Sequence, residues 1–251
     1  IGNTNIVLGG YENGALGFCP RISTDKSLEA DQYALELSGI LNLYKVAGEN
    51  IEGAIISSVV PQITDTVARA LRMFAGVEPL KLTQELPTGV GVNIDTPSEL
   101  GADLLAGAIA AKALYPLPAI VIDMGTATKI TAVDEQGTVQ GVSIMPGVFI
   151  SLDALVNGTS LLKGIATNAP VRAIGKNTVE SMQSGVVFGA ASMLDGMVER
   201  FEAELGPAKT LVATGGAAGI VVPHCRHSVQ YVPTLILDGL YAVYCRTHAA
   251  L

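Results

Sequence analysis

Two segments of this chain lie over each other without a gap, each a glycine-led polar tetrad that runs into an apolar stretch and then a glycine turn. Gly2-Asn3-Thr4-Asn5 leads through Ile6-Val7-Leu8 to Glu12-Asn13-Gly14, and Gly125-Thr126-Ala127-Thr128 leads through Ile130-Thr131-Ala132-Val133 to Glu135-Gln136-Gly137. The leading glycines are 125 − 2 = 123 positions apart, and so are the turn glycines, 137 − 14 = 123. A repeat that long points to two related domains, because solenoid units run only about 20–50 residues. A glycine followed by small hydroxyl or amide residues at a strand-to-turn transition brings several N–H and O–H donors close to one phosphate oxygen. Two such loops are expected to clamp a nucleoside triphosphate in a cleft between the domains. Asp123 precedes the second tetrad by two places; its counterpart falls one place before Ile1, where an acidic residue is expected.

The order of elements predicts the fold class: α/β, with two ribonuclease-H-like domains of the actin-like ATPase type. In the first half, strands through residues 17–22 precede an amphipathic helix over 29–44, with Leu35, Leu37, Ile40, Leu41 and Leu43 near one face. A short buried strand at 54–58 is stopped by Pro61, which opens a helix through Phe74. A strand at 78–82 and a helix at 98–114 complete the first domain, 1–116, and 117–251 repeats the pattern. There, strands at 119–123 and 140–145 lead through Pro146-Gly147 to a helix ending near Leu155. A long helix over 177–204 starts at Asn177 or Thr178, a strand at 210–213 feeds Thr214-Gly215-Gly216, and a helix at 235–247 closes the second domain.

Composition removes several classes of function. Hydrophobic residues are 49% and charged residues 15%, so the chain can bury a core. A net charge of −8 argues against nucleic acid, which needs clustered Lys and Arg. The stretch 104–122 has transmembrane length, but Lys112, Pro116 and Pro118 make it a helix followed by a buried strand, and no membrane contact is expected. Three scattered cysteines, Cys19, Cys225 and Cys245, read as reduced cytosolic thiols. Cys225 and His227 lack a second nearby pair, so they do not read as a zinc site.

Two acids carry the candidate chemistry. Asp103, in Glu99-Leu100-Gly101-Ala102-Asp103, sits at a helix start, where the dipole alone favours an acid. Its functional reading is a general base that takes a proton from a hydroxyl attacking a terminal phosphate. Asp123 is either a strand-end acid bonding the next turn or a carboxylate that holds a cation near phosphates. Thr214-Gly215-Gly216-Ala217 after a strand suits a nucleotide-site turn, although any tight strand-to-helix turn also wants glycine. No histidine sits in a nucleophilic arrangement with Ser or Cys.

GNTN at 2–5, SSVVP at 57–61, PSELGAD at 97–103, DMGTAT at 123–128, IMPG at 144–147, GKNTVESMQSG at 175–185 and ATGG at 213–216 occur in this order. Through them the chain resembles the type III pantothenate kinases over nearly its full length. That resemblance implies the actin-like sugar-kinase superfamily, transfer of the ATP γ-phosphate to pantothenate on the way to coenzyme A, and a cytoplasmic homodimer. It also implies a divalent metal such as Mg²⁺ and a monovalent cation, K⁺ or NH₄⁺. Residue by residue, it implies that Gly2, Asn3, Thr4, Asn5, Thr126, Gly215 and Gly216 bind ATP and that Asp103 accepts the proton. Asp123 would hold the monovalent cation, and the positions of Ile94, Gly101, Ala102, Asp103, Leu104 and Thr178 would line the pantothenate pocket.

The departures are specific. Ile94 and Leu104 stand where family members usually carry Tyr and Arg, and Lys129 and Val142 where they commonly carry Thr and Gly. Leu offers no donor to a carboxylate, whereas Arg offers a fork of them. Two alternatives follow: a degenerate nucleotide-binding paralogue with little turnover, or a kinase of the same fold for another small hydroxylated acceptor. Lys129, one place after Thr128, is expected to put its ammonium near Asp123 or the ATP phosphates and so to replace part of the monovalent cation.

Overall fold

A computed structural model of the chain describes residues 1–167 and 172–249. In order they form β1 (Asn5–Val7), β2 (Gly10–Glu12), β3 (Ala15–Phe18), β4 (Arg21–Ser23), α1 (Ala30–Leu43), β5 (Ile55–Ile56), α2 (Pro61–Ala75), β6 (Leu80–Lys81), β7 (Gly91–Val92) and α3 (Ala102–Leu114). There follow β8 (Ala119–Met124), β9 (Ala127–Val133), β10 (Thr138–Pro146), α4 (Val148–Asn157), α5 (Thr178–Leu205), β11 (Thr210–Thr214), α6 (Ala218–Val221), β12 (Gln230–Tyr231) and α7 (Leu235–Ala249). No helix among the described residues is long and apolar enough to cross a membrane.

The chain folds into two units. The first takes Ile1–Gly89, Ser98–Ala110 and the chain from Ile236 onward; the second takes Val90–Pro97 and Ala111–Leu235. The boundary expected at residue 116 differs from this division in three places, at 90–97, at 111–116 and from 236 onward. Residues 91–92 leave the first half to join the second unit's sheet as β7, parallel to β10 with Gly91 opposite Thr138. The closing helix α7 returns to the first unit. Gly239 lets it approach α3 so closely that a Cβ there would lie 2.0 Å from the Ala106 carbonyl oxygen. Tyr11 stacks on Tyr241 with ring centroids 4.2 Å apart and donates a 2.5 Å hydrogen bond to Asp238 Oδ1.

The second unit is built on one six-stranded sheet in the order β12-β11-β8-β9-β10-β7. β8, β9 and β10 form an antiparallel meander, while β11 runs parallel to β8 and to β12, the ribonuclease-H-like arrangement expected from the element order. Ile120, Ile122, Met124 and Ile130 pack with Ala191, Leu194 and Val198 of α5, burying apolar surface that stabilises this unit. α5 starts where its cap predicts: Asn177 Oδ1 accepts the Glu180 N–H at 2.9 Å.

The first unit also sets strands before helices, in shorter pieces and with four strands ahead of its first helix: β1 pairs with β4, β2 with β3, and β5 with β6. Its core joins Ile6 of β1 to Tyr33 and Leu37 of α1, Ile56 of β5 and Ile63 and Val67 of α2. Pro61 stands at the first turn of α2, where its missing N–H costs nothing. The buried face of α1 is Ala30, Tyr33, Leu37 and Leu41, a three- to four-residue spacing. Leu35 and Leu43, expected on that face, are 74% and 77% exposed, because two residues past Tyr33 or Leu41 is roughly the opposite side of a helix.

Candidate active site

Asp103 stands in the first turn of α3, after a 3-10 turn at Pro97–Glu99. Its Oδ1 accepts the Leu104 N–H at 2.8 Å. Gly101 lies under this carboxylate, and a Cβ on it would lie 2.8 Å from that same oxygen, so a larger residue would turn the Asp103 side chain. The carboxylate is only partly buried, so it is open to a substrate hydroxyl, whereas Leu104 is buried and presents no polar group. Burial lowers the pKa of the Ile1 amine and the Asp103 charge opposes that shift, which puts the carboxylate near the start of the first loop, within the same unit.

In that loop, Gly2 N–H donates to Asn5 O at 2.9 Å, closing the Gly2–Asn5 turn. Thr24, at the end of β4, fixes it from outside: its Oγ1 donates to Gly2 O at 2.6 Å and its N–H to Thr4 O at 3.0 Å.

The second loop lies at the end of β8. Asp123 faces Lys129 directly across the β8–β9 pair, and Lys129 Nζ is 2.9 Å from Asp123 Oδ2, with the two side chains 16% and 17% exposed. The other carboxylate oxygen lies over Gly125, where a Cβ would be 3.4 Å from Oδ1. Gly147, at the start of α4, packs onto the loop backbone so tightly that a Cβ would lie 2.2 Å from Thr126 O and 2.6 Å from Gly125 O. Parallel pairing sets Thr214 opposite Asp123, and Gly215 then crosses β8 with φ +94°. A Cβ on Gly215 would be 2.5 Å from the Met124 carbonyl carbon, so both the conformation and the space require glycine. Ala217 N–H donates to Met124 O at 3.2 Å and ties the turn down. The predicted residues Asp123, Thr126, Gly215 and Gly216 therefore gather at one end of the second sheet.

The chain beyond this turn is anchored by a group that sequence reasoning missed. Asp195, buried on α5, accepts the Arg226 N–H at 2.9 Å, the His227 N–H at 3.1 Å and a 2.9 Å contact from His227 Nδ1. Burial pushes its carboxyl up, but the Arg226 and His227 hydrogen bonds outweigh burial and hold it below the ordinary value. An acid within the apolar stretch Met193-Leu194-Asp195, with Arg226 and His227 downstream, was the available signal. His227 is thus engaged with Asp195, and burial pushes the neighbouring Cys225 thiol up to about 11. Among the described residues no group of three His, Cys, Asp or Glu is arranged to hold a metal.

Of the predicted acceptor-site residues, Gly101, Ala102, Asp103 and Leu104 belong to the first unit, while Ile94 and Thr178 belong to the second. Thr178 lines a 770 Å³ cavity with Ser151, Leu155, Met182 and Thr128. Thr128 is fully buried and its hydroxyl has no partner. Because successive strand residues face opposite sides, the cavity is across the sheet from Lys129, so Thr178 and the Asp123–Lys129 pair do not share a face.

Solved structures place this architecture in a class. An activator of 2-hydroxyisocaproyl-CoA dehydratase from Clostridium difficile, with bound ADPNP, matches all of the chain and 92% of its own at a TM-score of 0.59 and 12% identity. Component A of (R)-2-hydroxyglutaryl-CoA dehydratase from Acidaminococcus fermentans matches all of the chain and 96% of its own at 0.56 and 14%. The fold is that of the actin-like ATPases and sugar kinases. A family model for type III pantothenate kinase matches residues 1–200. Type III pantothenate kinases from Roseiflexus sp. (strain RS-1) and Moorella thermoacetica are 39% and 37% identical, over 97% and 98% of this chain and 96% and 97% of theirs. The chain belongs to the type III pantothenate kinase family.

Proposed function

We infer that this protein transfers the γ-phosphate of ATP to pantothenate, giving 4′-phosphopantothenate, the first step toward coenzyme A. Family membership over almost the whole chain carries this reading. Asp103 is the general base: as the acceptor oxygen bonds to the terminal phosphorus, its proton passes to the carboxylate and the bond to the ADP oxygen breaks. Gly2, Asn3, Thr4, Asn5, Thr126, Gly215 and Gly216 bind ATP in this reading. The required glycines at 147 and 215 support it, because each brings backbone closer than a side chain would permit. Mg²⁺, when bound, neutralises charge on the transferring phosphates. The small number of acids at the site fits a metal held chiefly by the nucleotide and water.

The same reading gives a cytoplasmic homodimer in which Thr178 serves the partner's acceptor pocket. It is supported by Thr178 lying on the other face from Asp123 and by exposed Ile144, Phe149, Ile150 and Val179 on β10, α4 and α5. Light scattering at micromolar concentration should return the mass of two chains. Leu104 and Ile94 favour a second reading, a kinase of the same fold whose acceptor needs no donor at those positions. Assaying ADP release with pantothenate and with related hydroxylated acids separates the two. Release strictly dependent on pantothenate, with a 4′-phosphate product by ³¹P NMR, is the expected result.

A further inference from the structure

We propose that Lys129 is a built-in counter-cation of the second phosphate loop, so that ATP binding needs no dissolved monovalent cation at Asp123. The inference rests on the reading of Gly125-Thr126 as an ATP phosphate site. Asp123 places one carboxylate oxygen over Gly125, and left alone it would repel the phosphates approaching that loop. A cation must cancel this charge, and its position is already filled. Lys129 Nζ lies 2.9 Å from the other carboxylate oxygen, a length at which the ammonium donates a charge-assisted hydrogen bond. Both side chains are largely withdrawn from water, so salt screens the pair weakly. The pairing is also fixed by the fold: the β8–β9 register sets the two residues directly opposite, at the distance of a cross-strand pair. A free potassium or ammonium ion would have to displace a tethered ammonium that pays no translational cost to be there. The monovalent cation that the family resemblance assigns to Asp123 therefore does not fit this chain as a separate ion.

The test is ATP affinity, measured by calorimetry on the full chain at constant ionic strength with either potassium or tetramethylammonium as the counterion. The natural chain should bind ATP equally in both, within about twofold. In Lys129→Thr, affinity without potassium should fall by about tenfold or more, as expected when one partner of a desolvated ion pair is removed, and potassium should restore much of it. Lys129→Arg, which keeps a cation at the site, should bind without potassium. Affinity in the natural chain that falls without potassium overturns the proposal, and the natural chain tests it even where the Thr variant folds poorly. Absence of ATP binding in both counterions overturns the phosphate-site reading as well, so the two failures are distinct.

Discussion

The two hairpins that align at 123 positions in sequence do not fold as copies. In the first, Glu12 pairs with Ala15 across a two-residue loop whose members, Asn13 and Gly14, both have positive φ, 51° and 86°. In the second, Asp134 N–H donates to Thr138 O across the three residues 135–137, with Gly137 at φ +77°. The pairings beyond the turns differ accordingly. Asn5 pairs with Ser23, which by repeat arithmetic (23 + 123 = 146) would set Thr128 opposite Pro146, yet Thr128 pairs with Met145. A one-residue difference moves side chains to the other face. Ile6 is buried in the first core, while Lys129, at the same repeat position, reaches Asp123; Val7 is exposed, while its counterpart Ile130 is buried under α5. Charged groups sit at the second loop, in the Asp123–Lys129 pair, and beyond it at Asp195, while Thr24 bonds the backbone of the first loop. Duplicated sequence keeps the position of the loop glycines, but turn length and the packed helix decide which neighbours face inward.

Breaking the second unit's turn should have the largest effect. Gly215→Val forces a branched side chain into a positive-φ position with backbone 2.5 Å away, and nothing there can move like a flexible side-chain end. The expected cost is about 3–5 kcal/mol, with ATP binding lost; a variant that binds ATP normally would show that Gly215 does not shape the site. A smaller effect tests whether charge anchors this unit. Asp195→Asn should cost about 2–3 kcal/mol at neutral pH by weakening charge-assisted hydrogen bonds, a drop of several degrees in Tm. The folded carboxyl of Asp195 is held below its ordinary value. The stabilisation is therefore present above the unfolded carboxyl's pKa, about 4, and is lost as pH falls through the folded one. Thermal melts from neutral to acid should bring the natural chain and the D195N variant together; a constant gap would remove Asp195 as the source.

Much of this was legible from residues alone. The register placed the loops, Pro61 and Asn177 marked helix starts, and Lys129 could be paired with Asp123 because strand neighbours in a short hairpin are local. The strands β7 and β12 were not legible, since each is defined by joining an edge of the second unit's sheet, Gly91 opposite Thr138 and Gln230 opposite Val212. The return of α7 to the first unit was hidden for the same reason: it depends on Gly239 meeting Ala106, far apart in sequence. Asp195 escaped notice because its partners lie about thirty residues away in an irregular stretch.

Asp103→Asn tests whether Asp103 is the base of an ATP-dependent kinase when turnover and ATP affinity are measured on the same sample. A native-like melt must accompany both, because the residue also opens α3. With pantothenate, kcat should fall by about 10²–10⁴-fold while ATP affinity stays within about twofold. Near-normal turnover in the folded variant would contradict it.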